Sequence, residues 1–336
     1  MRVLVTGVTG FIGSNVVRSL LKCEQDIMVV GVDNMDPYYD LSLKEERLKG
    51  LLSDERFLFL KGDISDKDFM DEVFRDHRPE YVLHFAAKVG VRHSVSHPEE
   101  YITTNINGFF NILEACRKYP VSHLVYASSS SVYGANASVP YSTDDKADSP
   151  VSLYAATKKS NELMTHAYSQ LYAVPSTGLR FFTVYGPAGR PDMAYFSFTD
   201  RLVNGKTIQM FNSGNSLRDY TYIDDITEGV LRVMKRPPVQ EGEAKAPYAL
   251  YNIGNSHPEN LMDFVRILCE ELIRAQVLPE DFDLNAHVEL LPMQPGDVPV
   301  TYADVRHLEE DFDFKPSTQL RDGLRCFAQW YAETYN

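Results

Sequence analysis

Arg2-Val3-Leu4-Val5-Thr6-Gly7-Val8-Thr9-Gly10-Phe11-Ile12-Gly13 runs from an apolar stretch straight into a glycine loop and then into a helical pattern. A strand, a tight turn and a helix in that order form the opening of a parallel α/β unit. The loop has the spacing G-x-x-G-x-x-G, with Gly7, Gly10 and Gly13 between strand and helix. Glycines there permit a tight turn and let backbone amides approach a pyrophosphate at the helix N-terminus, so the loop predicts dinucleotide binding.

Outward from this loop, apolar runs at Val3–Thr6, Met28–Val32, Phe57–Lys61, Tyr81–Phe85, His123–Ser128 and Ser176–Phe182 read as strands. Amphipathic stretches at Phe11–Lys22, Asp66–Arg75, Pro98–Lys118 and Ser152–Tyr172 read as the helices between them. The alternation predicts a doubly wound parallel sheet of Rossmann type over residues 1–185, with its ligand at the carboxyl ends of the strands. Residues 186–336 read as a smaller mixed substrate lobe, with some chain crossing between lobes. It holds a short strand at Tyr220–Ile223 and helices at Asp224–Lys235 and Asn260–Ala275, while Arg236–Pro247 reads as an exposed loop.

The second strand leads to Asp33, a carboxylate that can accept both adenosine-ribose hydroxyls and repel a 2′-phosphate. Asn34 follows in place of a compensating arginine, so NAD is expected rather than NADP. Asp63, Ile64, Ala86, Ala87 and Lys88 follow the third and fourth strands, where they would border the adenine and the middle of the cofactor. Phe11 and Ile12 complete the loop.

In Ser152-Leu-Tyr154-Ala-Ala-Thr-Lys158 the tyrosine and lysine lie four residues apart, on one helix face. A phenol titrates near pH ~10, and a nearby ammonium favours the phenolate, which would make Tyr154 a usable base. A formal net charge of −14 over 336 residues excludes general affinity for nucleic acid or anionic membrane. Any anionic ligand must meet local cations. With no apolar segment long enough to span a bilayer and no leader pattern, the protein is expected to be cytoplasmic. Cys23, Cys116, Cys269 and Cys326 are scattered and read as reduced. His93 and His97 have ligand-like spacing, but Pro98 follows and no third ligand is apparent in the sequence, so no metal is expected.

Taken in order, the glycine loop, Asp33, Asp63, Ala86-Ala87, the run Ser128-Ser129-Ser130-Ser131 and Tyr154/Lys158 make the chain resemble the extended short-chain dehydrogenase/reductase family over nearly its whole length. Arg180-Phe-Phe-Thr-Val-Tyr-Gly-Pro-Ala-Gly-Arg190, Asp33-Asn-Met-Asp-Pro-Tyr-Tyr39 and Met293-Gln-Pro-Gly-Asp297 resemble the nucleotide-sugar epimerases of that family that act on UDP-glucuronate. The resemblance implies inversion at C4 through a 4-keto sugar, with Tyr154 as base, Ser129 holding the substrate oxygen and Lys158 holding the nicotinamide ribose. It also implies that Ser128, Ser130 and Thr183 donate to the substrate carboxylate, that Arg218 meets the diphosphate and that Asp297 accepts from ribose. Arg190 is assigned to phosphate or carboxylate, and Asn105 to a place near the cofactor or to a capping or core polar role. A homodimer through the helix after Pro98 and the Tyr154 helix is implied as well.

Dehydratases of the family carry an acid pair where this chain has Ser130-Ser131, and decarboxylases a glutamate beside the catalytic hydroxyl. Serines do not supply that acid–base chemistry. A UDP-glucuronate decarboxylase and an epimerase of a neutral UDP-hexose remain alternatives, and an idle NAD-binding scaffold is a third from another class.

Overall fold

The computed structural model describes residues 1–136, 138–240, 246–293 and 298–335. Its first half alternates β1 (Arg2–Thr6), α1 (Phe11–Cys23), β2 (Met28–Asp33), α2 (Leu41–Leu51), β3 (Phe57–Lys61), α3 (Lys67–His77) and β4 (Tyr81–His84). Short helices α4 (His93–Ser96) and α5 (Pro98–Tyr101) lead through a π-helical turn, Ile102–Gly108, into α6 (Phe109–Lys118). Then come β5 (His123–Ser129), α7 (Leu153–Tyr172) and β6 (Ser176–Phe181).

The remainder comprises β7 (Thr183–Tyr185), α8 (Ala194–Val203), β8 (Ile208–Met210), β9 (Leu217–Tyr222), α9 (Ile223–Met234), β10 (Tyr248–Ile253) and β11 (Pro258–Asn260). It ends with α10 (Leu261–Arg274), β12 (Val288–Leu290), α11 (Arg306–Phe312) and α12 (Leu320–Tyr335).

The main sheet has seven strands in the order β10-β6-β5-β4-β1-β2-β3, and every pairing in it is parallel. Alternate residues of β1 face opposite sides, as the pleat requires. Val3 and Val5 join one core with Val16, Val17 and Leu20 of α1. Leu4 joins another with Val73 and Phe74 of α3 and Ile112 of α6. Helices thus cover both faces, which is the doubly wound arrangement expected. Strand order reverses between β1 and β4, so the loops after these two strands flank the crevice where ligands bind in such sheets.

Two departures from the expected elements matter. The edge strand β10 comes from beyond residue 185 and pairs with β6 in register Tyr248 to Ser176, so the sheet is completed by a late return of the chain. The expected single helix over Pro98–Lys118 is instead α5, the π-helical turn and α6; such bulges often accompany functional sites. The smaller lobe is mixed as expected, with β11-β9-β7 and β12-β8 sheets. Its Phe264 and Phe327 belong to the same core as Val3, so one apolar interior runs through both parts of the chain.

Candidate active site

β1 delivers Gly7 into the left-handed region at φ +71°, and a Cβ there would lie 2.6 Å from the Ala86 backbone nitrogen. At Gly13 a Cβ would lie 2.3 Å from the Gly7 carbonyl oxygen. The β1–α1 turn is therefore packed backbone against backbone, with the loop after β4 directly beneath it. α1 starts at Gly10 without a side-chain cap, which leaves its first N–H groups free to meet an anion. Asp33 is buried at 6% exposure and accepts from the Thr9 and Met35 backbone amides at 3.0 and 2.8 Å. The carboxylate thereby ties the end of β2 to the glycine loop.

One cavity runs along the carboxyl ends of these strands. It is lined by Gly7, Gly10, Phe11, Ile12 and Gly13 of the β1–α1 turn and first helical turn, by Asp33 and Asn34 at the end of β2, and by Ile64 after β3. Ala86, Ala87 and Lys88 after β4 continue it toward Ser128, Ser129, Tyr154, Lys158 and Arg190. A glycine cradle with open helix amides at one end and hydroxyls at the other fits an extended dinucleotide.

Asp63 lies behind this lining. Its Oδ2 accepts from Asn34 Nδ2 at 2.8 Å and its Oδ1 from Ser65, so it orients Asn34. Asn105 is also behind the wall and resolves toward the core polar role. Presented inward by the π-helical turn, its Oδ1 accepts from Lys88 N at 2.8 Å and its Nδ2 donates to Lys88 O at 3.0 Å, clamping the segment that follows β4.

At the catalytic end, Ser152 caps α7 by accepting from Ala155 N at 3.1 Å, which fixes Tyr154 in the first turn. Burial pushes the Tyr154 phenol above its ordinary pKa, while a hydrogen bond with Ser129 and the charge of Arg190 pull it down. Lys158 Nζ donates to the Ala127 carbonyl at 2.8 Å, and burial lowers its pKa to about 8. Arg190 is thus a second cation whose charge favours the ionised phenol, beside Lys158 one helical turn along, whose ammonium is held toward the Ala127 carbonyl. Arg190 in turn pairs with Asp192 at 2.5 Å, which also accepts from Tyr38 Oη at 3.3 Å.

Ser128 requires a correction. Its hydroxyl donates to Glu162 Oε1 at 2.6 Å, and Glu162 is held by Arg180 Nε and Nη2 at 2.8 and 2.9 Å. With its proton committed inward, Ser128 offers the cavity lone pairs and cannot donate to a carboxylate. Ser130, Thr183 and Arg218 lie outside the cavity lining: Ser130 opens the turn after β5, Thr183 pairs with Tyr220, and Arg218 donates to the Leu217 and Pro299 carbonyls. Asp297 falls outside the described residues.

Sequence reading missed Lys44, Tyr38 and Arg47. Lys44 of α2 lines the cavity with Nζ 3.7 Å from Asp33 Oδ1. It had no local signal, because charged residues on a weakly amphipathic helix read as a solvated face. The structure also corrects the histidine reading: the turn between α4 and α5 brings Glu100 to His93 and His97 as a third potential ligand. Yet Glu100 Oε2 is 2.6 Å from Lys88 Nζ, and the two imidazoles stack at 4.1 Å and 14°. An ammonium occupies the carboxylate, and in-plane lone pairs of stacked rings do not converge.

Fold and site together define a dinucleotide-binding enzyme of Rossmann type whose cavity is lined at one end by Ser129, Tyr154 and Lys158. More particularly, the chain belongs to the NAD dependent epimerase/dehydratase family, which matches residues 3–254. It is 50% identical over 345 aligned residues to Protein CapI of Staphylococcus aureus, covering 100% of this chain and 99% of that protein. It is 41% identical to the probable UDP-glucuronate 4-epimerase of Rhizobium meliloti (strain 1021), covering 100% and 98%. Among solved structures, the UDP-glucuronic acid 4-epimerase of Bacillus cereus in complex with UDP-glucuronic acid and NAD superposes with TM-score 0.87 at 31% identity, covering all of both chains.

Proposed function

We propose that the protein inverts C4 of UDP-glucuronate to give UDP-galacturonate, with NAD held along the cavity by the Gly7–Gly13 loop, Asp33, Lys44 and the Ala86–Lys88 segment. One observation carries this choice among related chemistries. Among the described residues lining the cavity, the carboxylates are Asp33 and Asp36, the first ending β2 and the second just past it. That strand stands three strand spacings from β5, or ~14 Å at ~4.8 Å each. Among the described residues, no acid–base pair for removing water across C5 and C6 lines the cavity beside Ser129, and its neighbours in the chain are hydroxyls.

In this reading Tyr154 removes the C4 hydroxyl proton while Ser129 holds the same oxygen, and Lys158 lies behind them to order the nicotinamide ribose. NAD, when bound, supplies the hydride acceptor and donor for C4. Because the 4-keto sugar is a β-keto acid prone to losing CO2, its carboxylate must be held. Arg190, whose charge reaches Tyr154, is assigned to that carboxylate rather than to the diphosphate. Thr183 and Ser130 are proposed as secondary donors should the hexose extend past the cavity wall, with Arg218 and Asp297 toward the UDP end. The experiment is product analysis with UDP-glucuronate deuterated at C4. Retention of label in UDP-galacturonate, and loss of turnover with NAD still bound in Tyr154→Phe, is the expected result. A pentose nucleotide and CO2 as sole products would establish a decarboxylase instead, and label lost to water would end the hydride account.

A pair of copies in the cytoplasm completes the proposal. No described helix is long and apolar enough to cross a membrane. Phe110 of α6, and Leu163 and Leu171 of α7, are 45%, 61% and 70% exposed, a concentration of large apolar side chains on adjacent helices that supports self-association.

A further inference from the structure

Arg47 lies on α2, outside the catalytic cluster, yet it is only 2% exposed. A buried guanidinium needs acceptors for its fork of donors, and this one finds them in two loops that are distant in sequence. Nη1 donates to the Thr9 carbonyl at 3.0 Å and to Tyr39 Oη at 2.6 Å. Nε and Nη2 donate to the Ala188 carbonyl at 3.1 and 2.7 Å, and Nη2 also to the Gly189 carbonyl at 2.9 Å. Thr9 belongs to the glycine loop, and Ala188 and Gly189 immediately precede Arg190.

The segment that Arg47 grips is otherwise awkward to hold. Ala188 has φ +51°, a left-handed conformation that is unfavourable for a non-glycine residue. Gly189 has no room for a side chain, since a Cβ would stand 1.6 Å from Tyr195 Oη. Inward-turned carbonyls and an unfavourable φ persist only when surrounding contacts over-determine them, and Arg47 supplies the donors that do so.

We propose that Arg47 is a positioning residue that locks the cofactor loop to the Arg190 loop, so that forming the cofactor cradle and placing the Arg190 cation beside Tyr154 are a single structural event. Around the Tyr154 phenol the charged and titratable groups are Arg190 with its partner Asp192, Tyr101 with its ring centroid 6.2 Å away, Tyr38, and Lys158 one helical turn along. Of these, Lys158 is fixed by its own helix, whereas Arg190, which lines the same cavity as Tyr154 and whose charge also favours the ionised phenol, is carried by the loop that Arg47 fixes. Loss of the fork leaves the Ala188 and Gly189 carbonyls without these donors and lets the loop relax, taking Arg190 away from the phenol.

The test is a double-mutant cycle on the NAD-loaded enzyme, using Arg47→Met, Arg190→Met and both together, read as kcat against pH. Withdrawing a cation raises the phenol's pKa, so in Arg47→Met the acid limb should move up by about one pH unit, a ~10-fold loss at neutral pH that recovers at alkaline pH. Arg190→Met should show the same shift, and the double variant little further loss. Arg47→Lys should fail to restore the profile, because a single ammonium cannot serve three carbonyls in fixed directions. Tyr39→Phe, which removes one acceptor, gives a smaller shift of the same sign should Arg47→Met not fold. Additive losses, or a lowered Tm with an unshifted profile, would overturn the proposal. The kinetic readout rests on the epimerase reading. If the wild type does not turn over UDP-glucuronate, that reading fails alone, and ultraviolet titration of the Tyr154 phenolate, assigned by its absence in Tyr154→Phe, still reports whether Arg47→Met moves it.

Discussion

Replacing Glu162 by alanine tests the buried support behind Ser128 most directly. Glu162 and Arg180 are 3% and 1% exposed at their side chains and meet at 2.8 Å. Deleting the carboxylate strands a buried guanidinium, a change that costs ~3–5 kcal/mol when one partner of a buried pair is removed. The Tyr133 ring, 4.7 Å from the guanidinium, offsets part of this, while Ser128 loses its acceptor. A net loss of ~3–4 kcal/mol is a large share of the ~5–15 kcal/mol that holds a typical domain. Urea unfolding of the NAD-saturated protein, compared at equal m value, measures it. Burial by itself would raise the Glu162 carboxyl pKa, but hydrogen bonds and charge from Arg180 and the bond from Ser128 hold it below its ordinary value. A depressed carboxyl pKa contributes stability that is full above the unfolded value of ~4.3 and is lost as pH falls through the folded value. The gap between wild type and Glu162→Gln should therefore narrow only in acid. A cost under ~1 kcal/mol for Glu162→Ala, or a gap that closes instead at alkaline pH, would refute the buried-pair account.

Two further substitutions probe the cofactor wall. Gly13→Ala places a Cβ 2.3 Å from the Gly7 carbonyl oxygen and 3.1 Å from the Val8 Cα; since backbone cannot yield cheaply, a loss of ~1–3 kcal/mol and NAD-free protein on purification are expected, read by Tm and by release of cofactor on denaturation. Asn105→Ala removes both side-chain bonds to the Lys88 backbone, which should cost ~1–3 kcal/mol and weaken NAD binding with little change in the pH profile of kcat, read by cofactor titration.

What the sequence disclosed divides by the range of the physics involved. The glycine loop and the strand–helix alternation are local, and β1, β2, β4 and β5 fall within a residue or two of the runs that predict them. Tyr154 and Lys158 share a helix, so their spacing alone places them together. β10 escaped because nothing local to Tyr248–Ile253 says that the chain returns to the sheet after α9; its burial is decided by β6. The direction of the Ser128 hydroxyl depends on Glu162, 34 positions away. Arg47 and Lys44 carry no local signal because their acceptors are backbone carbonyls and a carboxylate contributed by other loops. Asn105 could be read either way until the π-helical turn showed which way it faces.

The acidic balance of the chain and the anionic ligand proposed for it are reconciled by how the cavity's cations are stored. Lys44 stands near Asp33, Lys88 between Asp36 and Glu100, and Arg190 against Asp192. Each cation is kept within the wall by a carboxylate, which makes its partial burial tolerable. Lys158 differs, being held by a carbonyl, and its depressed pKa reflects that weaker compensation. A phosphate or uronate entering beside Arg190 can exchange with Asp192 instead of meeting an unsolvated charge, so binding trades one ion pair for another. Specificity for an anion then comes from the positions of these pairs, which α2 and the loops after β2, β4 and β7 fix, and the net charge of −14 does not oppose it.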